Sequence, residues 1–163
     1  MYARGAYIEE GSYILRCKSI SQGESRKGEG PYCAYSGEVV RVIVAYPPRP
    51  CSIVDGDTAP ASNALGAVVS WSKYLRHKMA LGDVKAMLAA NTGLDIDDIT
   101  AGVAERYTEG EGAHCVGALV RVDAVRVPTQ RGTVFTRTVW SEASAADLRD
   151  TGTKPAPDDD LPF

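Results

Sequence analysis

The feature that most narrows the fold is a strand, a glycine-rich loop and a second strand near the start of the chain. Across residues 12–20, Tyr13, Leu15 and Cys17 alternate with Arg16 and Lys18, so one face is apolar and the other basic. Residues 21–31, SQGESRKGEGP, form a polar loop carrying Arg26 and Lys27. Residues 32–46 then read as a second strand, with Val40, Val42 and Val44 as its apolar stripe and Arg41 on the opposite face. Two alternating runs joined by a Gly-rich turn make a hairpin. Its strands are long enough to bend across a small barrel.

The remaining elements follow in order. Residues 47–65 are rich in Pro, Ala, Ser and Asp and read as an irregular connection. The run GAVVSWSKYL over 66–75 starts as a strand and is ambiguous after Trp71. A helix is expected over 82–91, with Asp83 as cap, Val84, Met87 and Leu88 on one face and Gly93 as stop. A second short helix is expected over 97–106, capped by Asp97 or Asp98, with Ile99 and Val103 inward. Residues 116–127 alternate again, with Val116, Ala118, Val120 and Val122 opposed to Arg121 and Asp123. A turn over 128–132 leads into a returning strand over 133–141 that carries Arg137 and Trp140. Tyr7 and Tyr13 are expected in the core.

From Glu142 the composition shifts to Ala, Ser, Asp, Thr, Gly and Pro, which is linker composition. The chain therefore divides into a body over 1–141 and a disordered acidic tail over 142–163. Charge divides with it. Glu142, Asp147, Asp150, Asp158, Asp159 and Asp160 stand against Arg149 and Lys154, a net of −4, while residues 1–141 hold 16 basic and 15 acidic residues, a net of +1. A near-neutral body can still carry a basic groove. The last six residues are Asp158-Asp159-Asp160-Leu161-Pro162-Phe163. Three adjacent carboxylates cannot be buried unpaired, and Pro162 biases Leu161 toward an extended backbone. The result is a solvated hook whose apolar tip sits beside a carboxylate, suited to a pocket with a basic rim.

That ending resembles the acidic tip of bacterial and phage single-stranded DNA-binding proteins, in which an Asp run precedes an aliphatic-Pro-Phe triplet. Leu161 stands where isoleucine is more usual. The order of elements is similar as well. Five strands with a helical insertion between the third and fourth is the order of the OB-fold, a small β-barrel used for oligonucleotides. The body looks more like the divergent phage-encoded versions than the bacterial housekeeping protein. The resemblance implies a non-catalytic protein of replication, recombination or repair that protects single-stranded DNA. Its tip, Asp158 to Phe163, would recruit an exonuclease, helicase, primase or recombinase. Bacterial relatives use several barrels per assembly, so homo-oligomers belong to the expectation.

Such a body needs cations along the phosphates and flat side chains against the bases. The cation candidates are Arg16, Lys18, Arg26, Lys27, Arg41, Lys73, Arg121, Arg131 and Arg137. The stacking candidates are Tyr32, Tyr35, Trp71, Tyr74, Phe135 and Trp140, of which Trp71 and Trp140 fit a core position as well as a platform. Two other readings use the same chain. One is an annealing protein with the same barrel. The other is a metal-dependent nuclease or resolvase holding a cation on Asp55 and Asp57, or on Asp95, Asp97 and Asp98. Turn formation and helix capping account for those aspartates without a metal, and no metal or cofactor is expected. Cys17, Cys33, Cys51 and Cys115 are scattered without a Cys-x-x-Cys pair, which points to free thiols. The first residues lack an apolar stretch of signal-peptide type, and no apolar run is long enough to span a membrane. The expected location is therefore cytoplasmic, in the bacterial host if the chain is phage-encoded.

Overall fold

The computed structural model describes residues 5–50, 58–76, 80–109, 112–132, 134–149 and 154–155. The strands are β1 (Ala6–Tyr7), β2 (Gly11–Glu24), β3 (Pro31–Ala45), β4 (Arg49–Pro50), β5 (Thr58–Ala59), β6 (Val68–Tyr74), β7 (Leu119–Pro128), β8 (Val134–Glu142) and β9 (Lys154–Pro155). Helices α1 (Ala80–Thr92) and α2 (Ala101–Glu109) lie between β6 and β7, and α3 (Ala145–Arg149) follows β8. The main sheet runs β1-β6-β3-β2-β7-β8, with β9 parallel to β3 beside Val44 and Ala45. It curls into a barrel-like half-cylinder, and β4 pairs with β5 separately.

The β2–β3 hairpin is the spine of this sheet. Its register shifts between Ser12 and Tyr13, between Ile14 and Leu15, and between Cys17 and Ser19. Each such bulge adds twist and bend. Between them they let one antiparallel pair follow a strongly curved surface. The bulge at Lys18 also re-phases β2. Before it Tyr13, Leu15 and Cys17 point inward, and after it Ile20 does, while Ser19 and Ser21 point outward.

The inner face carries the core, with Tyr13, Leu15, Cys17, Tyr35, Val39, Val69, Val120 and Val122 at 0–1% exposure. Val84, Met87 and Leu88 of α1, with Ile99 and Ala104, complete it. The strands β6 and β8 lie at opposite sides of the curled sheet and share no hydrogen-bonded ladder. Side chains join them. Trp140 of β8 meets Trp71 of β6 edge to face, with ring centroids 5.3 Å apart, and meets Tyr35 of β3 at 4.9 Å. Helix α1 packs chiefly against β8.

Several boundaries differ from the sequence expectation. The strand β6 runs unbroken to Tyr74, which resolves the ambiguity after Trp71. The second helix is divided: Ile96–Asp98 forms a 3-10 turn capped by the Asp95 carboxylate, and Thr100 Oγ1 receives Val103 N–H at the start of α2. Val116 is 58% exposed ahead of β7, so the inward stripe starts at Ala118, which packs against the core, and not at Val116. The stretch read as linker after Glu142 contains α3. Ser144 N–H donates to Asp147 Oδ2 and Asp147 N–H donates to Ser144 Oγ, both at 3.0 Å, a reciprocal cap that starts this short helix. Tyr13 is buried as expected, but Tyr7 is 80% exposed. Among the described residues no helix is long and apolar enough to cross a membrane.

The ring bridge makes a direct prediction. Trp140→Ala removes a large buried side chain and leaves β6 and β8 without their aromatic link. The expected loss is about 3–5 kcal/mol, measured as a lowered urea midpoint against wild type.

Candidate nucleic-acid interface

Residues paired directly across a ladder project to the same side of the sheet. The registers therefore define rows across the outer face. One row is Tyr7, Ser70, Ser36 and Ser19; the next is Ser72, Ala34 and Ser21; the third is Tyr74, Tyr32 and Gly23. Five of the ten are serines. Ala34 and Ser36 are buried on its floor at 0% and 3% exposure, whereas Ser72 is exposed. Tyr32 and Tyr74 meet edge to face, with centroids 6.3 Å apart. A Cβ on Gly23 would lie 2.4 Å from the Tyr32 hydroxyl, so glycine is what lets that ring lie across β2. Of the small residues in these rows, Ser72 is exposed and Ser19, Ser21 and Gly23 are half-buried, while Ser70, Ser36 and Ala34 are buried beneath them.

Cations border this quadrant. Arg16 and Lys18 are exposed on β2, and Arg26 and Lys27 are exposed in the loop that follows. That loop is held closed by Ser25 N–H donating to Gly30 O at 3.0 Å and Lys27 N–H donating to Ser25 Oγ at 3.2 Å. Arg76, which the sequence reading did not single out, packs against Gly30, where a Cβ would lie 2.8 Å from its Nε. Glu38 is paired opposite Arg16, so the border is not purely basic.

The other half of the outer face is arranged differently. Arg41, Ile14 and Arg121 form one row over β3, β2 and β7. Both arginines are engaged by α3. Arg41 donates to the Asp147 carbonyl, and Arg121 Nη1 donates to the Asp147 carboxylate at 2.7 Å. Arg121 Nε also reaches Asp123 at 3.2 Å. Hydrogen bonds from Ser144, with the Arg121 charge, hold the Asp147 carboxyl below its ordinary value, and the hydrogen bond to Asp123 chiefly raises Arg121. These two cations are thus bound within the protein.

The other sequence candidates are scattered over different environments. Lys73 points inward to Asp83 of α1 at 3.5 Å and lies 6.0 Å from the Trp71 ring. Tyr35, Trp71 and Trp140 are 0%, 8% and 7% exposed, so the three rings chosen as stacking candidates fill the core and offer no face to a base. Arg131, Phe135 and Arg137 are exposed on the β7–β8 hairpin, with Phe135 at 46%, away from the serine rows. Tyr7, expected in the core, is also placed differently: it is exposed while its neighbour Ile8 is buried at 5%.

Burial pushes Cys17 and Cys33 up to about 12 and raises Cys115, which suppresses the thiolate at neutral pH. Asp95, Asp97 and Asp98 are exposed, and Asp95 accepts Asp97 N–H at 3.0 Å as a cap. Among the described residues, no three His, Cys, Asp or Glu side chains are grouped to hold a metal. Asp55, Asp57 and the terminal residues 158–163 lie outside the described residues. No protein-family model matches the chain, and no curated protein matches its sequence.

The α3 contact sets a pH dependence. The folded Asp147 carboxyl titrates below its unfolded value, near 3.9. Its contribution is therefore complete above that value and is lost as pH falls through the lower folded one. Wild type should be more stable than Asp147→Asn at pH 7, and the gap should close in thermal melts taken toward pH 2.

Proposed function

We propose that this chain binds single-stranded DNA without catalysing a reaction on it, in replication, recombination or repair, and recruits partner proteins through its C-terminal residues. The observation that carries the reading is the union in one chain of an Asp-Asp-Asp-Leu-Pro-Phe ending with a curled sheet of five long strands. Numbered along the chain, β2, β3, β6, β7 and β8 are strands 1 to 5. Their spatial order is 3-2-1-4-5, with the helices inserted between strands 3 and 4. That order is the one an OB-fold barrel would have without a ladder between its third and fifth strands, which supports the reading, and OB-folds bind oligonucleotides on strands 2 and 3. Those are β3 and β6, which carry Tyr32, Tyr74 and most of the serine rows. Exposed Arg16, Lys18, Arg26 and Lys27 supply counterion release, and the tyrosines supply stacking that any base satisfies.

The tail has a second effect in this reading. A tethered polyanion competes with DNA for the cations at an effective concentration set by the length of its tether. Screening weakens that competition as salt rises.

Two measurements follow. In a salt series, dye-labelled poly(dT) should bind more tightly than duplex DNA of equal length, with log K falling by about 0.7 per phosphate neutralised for each tenfold increase in salt. Equal affinity for the two would overturn the proposal. Deleting residues 158–163 should raise poly(dT) affinity at low salt, and the gain should shrink at high salt. An unchanged affinity at low salt would remove the competitive role of the tail.

A further inference from the structure

We infer that Tyr7 is a base-stacking platform, held on the N-terminal strand as part of the same surface; the inference rests on the single-strand binding reading above. Tyr7 is 80% exposed, the most exposed large hydrophobic side chain among the described residues. An exposed apolar side chain by itself is ordinary. What separates this one is the fixed backbone beneath it.

The strand β1 pairs in parallel with β6, Ala6 opposite Val69 and Tyr7 opposite Ser70. Gly5 lies so close to β6 that a Cβ there would stand 2.7 Å from Val68 O, and Ser70 Oγ donates to Gly5 O at 3.0 Å. On the other side Asn63 acts as a clamp. Its Nδ2 donates to Tyr7 O at 2.9 Å, and its Oδ1 receives Glu9 N–H at 2.8 Å. The backbone N–H of Asn63 donates to the buried Tyr13 hydroxyl at 3.0 Å, so the clamp is anchored in the core. Ile8, buried at 5%, pins the residue between.

The pairing directs Tyr7 to the side of the sheet that bears Ser70 and Ser36. Tyr74 lies four residues beyond Ser70 along β6 on that same face, about 13 Å from Ser70 at about 3.3 Å per residue. Ser72, exposed on β6, lies in the interval. An extended strand of nucleotides could therefore pass over Ser72 with a tyrosine near each end. A ring whose backbone is ordered before binding loses less entropy on contact than one on a mobile loop. With Trp71 and Trp140 in the core, tyrosines carry the stacking.

The test uses the full chain and labelled poly(dT). Tyr7→Ala should weaken binding by about 5- to 150-fold, leave the melting temperature near wild type because the ring is exposed, and keep the salt slope, since no phosphate contact is removed. Tyr7→Phe should bind like wild type. Tyr7→Trp supplies a reporter, because both native tryptophans are buried: its fluorescence should be quenched by poly(dT). Wild-type binding with an indifferent Tyr7→Ala variant and an unquenched Tyr7→Trp variant would overturn the inference alone. Failure of the wild-type protein to bind poly(dT) would overturn the functional reading and this inference with it.

Discussion

The contact between Trp71, Trp140 and Tyr35 is the constraint on which the rest of the body depends. A curled sheet can close through a hydrogen-bonded ladder between its outer strands or through side chains that meet across the gap. Here β6 and β8 share no ladder; an edge-to-face ring contact at 5.3 Å joins them through the interior, and a second at 4.9 Å joins β8 to Tyr35 of β3. Such pairs add about 0.5–1.5 kcal/mol beyond their burial. Rings committed to closing the interior cannot also present a face at the surface, so the exposed aromatic faces of this sheet come from elsewhere.

The outer face is divided in two by charge. Over β3, β2 and β7, Arg41 and Arg121 are engaged by Asp147, and α3 is fixed there. Over β1, β6 and β3, short hydroxyl side chains prevail, and the cations lie at the border on β2 and its loop. One half of the face binds the protein's own acid. The other offers cations and rings outward. The positive charge of the body is thus unevenly available, and a count of basic residues along the chain overstates what a phosphate backbone could meet.

How far the sequence could be read follows from the physics of each element. The long hairpins were legible because period-two alternation directly reports a half-buried sheet, as Tyr13, Leu15 and Cys17 show. Helix α1 was legible from Val84, Met87 and Leu88. The bulge at Lys18 was not, because an inserted residue changes the phase of alternation without changing composition. Trp71 and Trp140 were underdetermined: a large ring on a strand satisfies a core and a platform equally, and long-range pairing decides which. The engagement of Arg121 by Asp147 joins residues 26 apart in sequence, and local composition read that acid as part of a linker. Tyr7 was misplaced because two residues of strand carry too little pattern to assign a face.

The pairing of β9 has a consequence for geometry. Lys154–Pro155 lies beside Val44 and Ala45 on β3, and eight residues, 156–163, follow Pro155. Drawn out straight they reach at most about 29 Å, less than the span of many single domains. Under the proposed function, a partner that gripped residues 158–163 would have to come within that distance of β3, so its shape, and not only its pocket, would decide whether it binds while a nucleic acid lies across the same sheet.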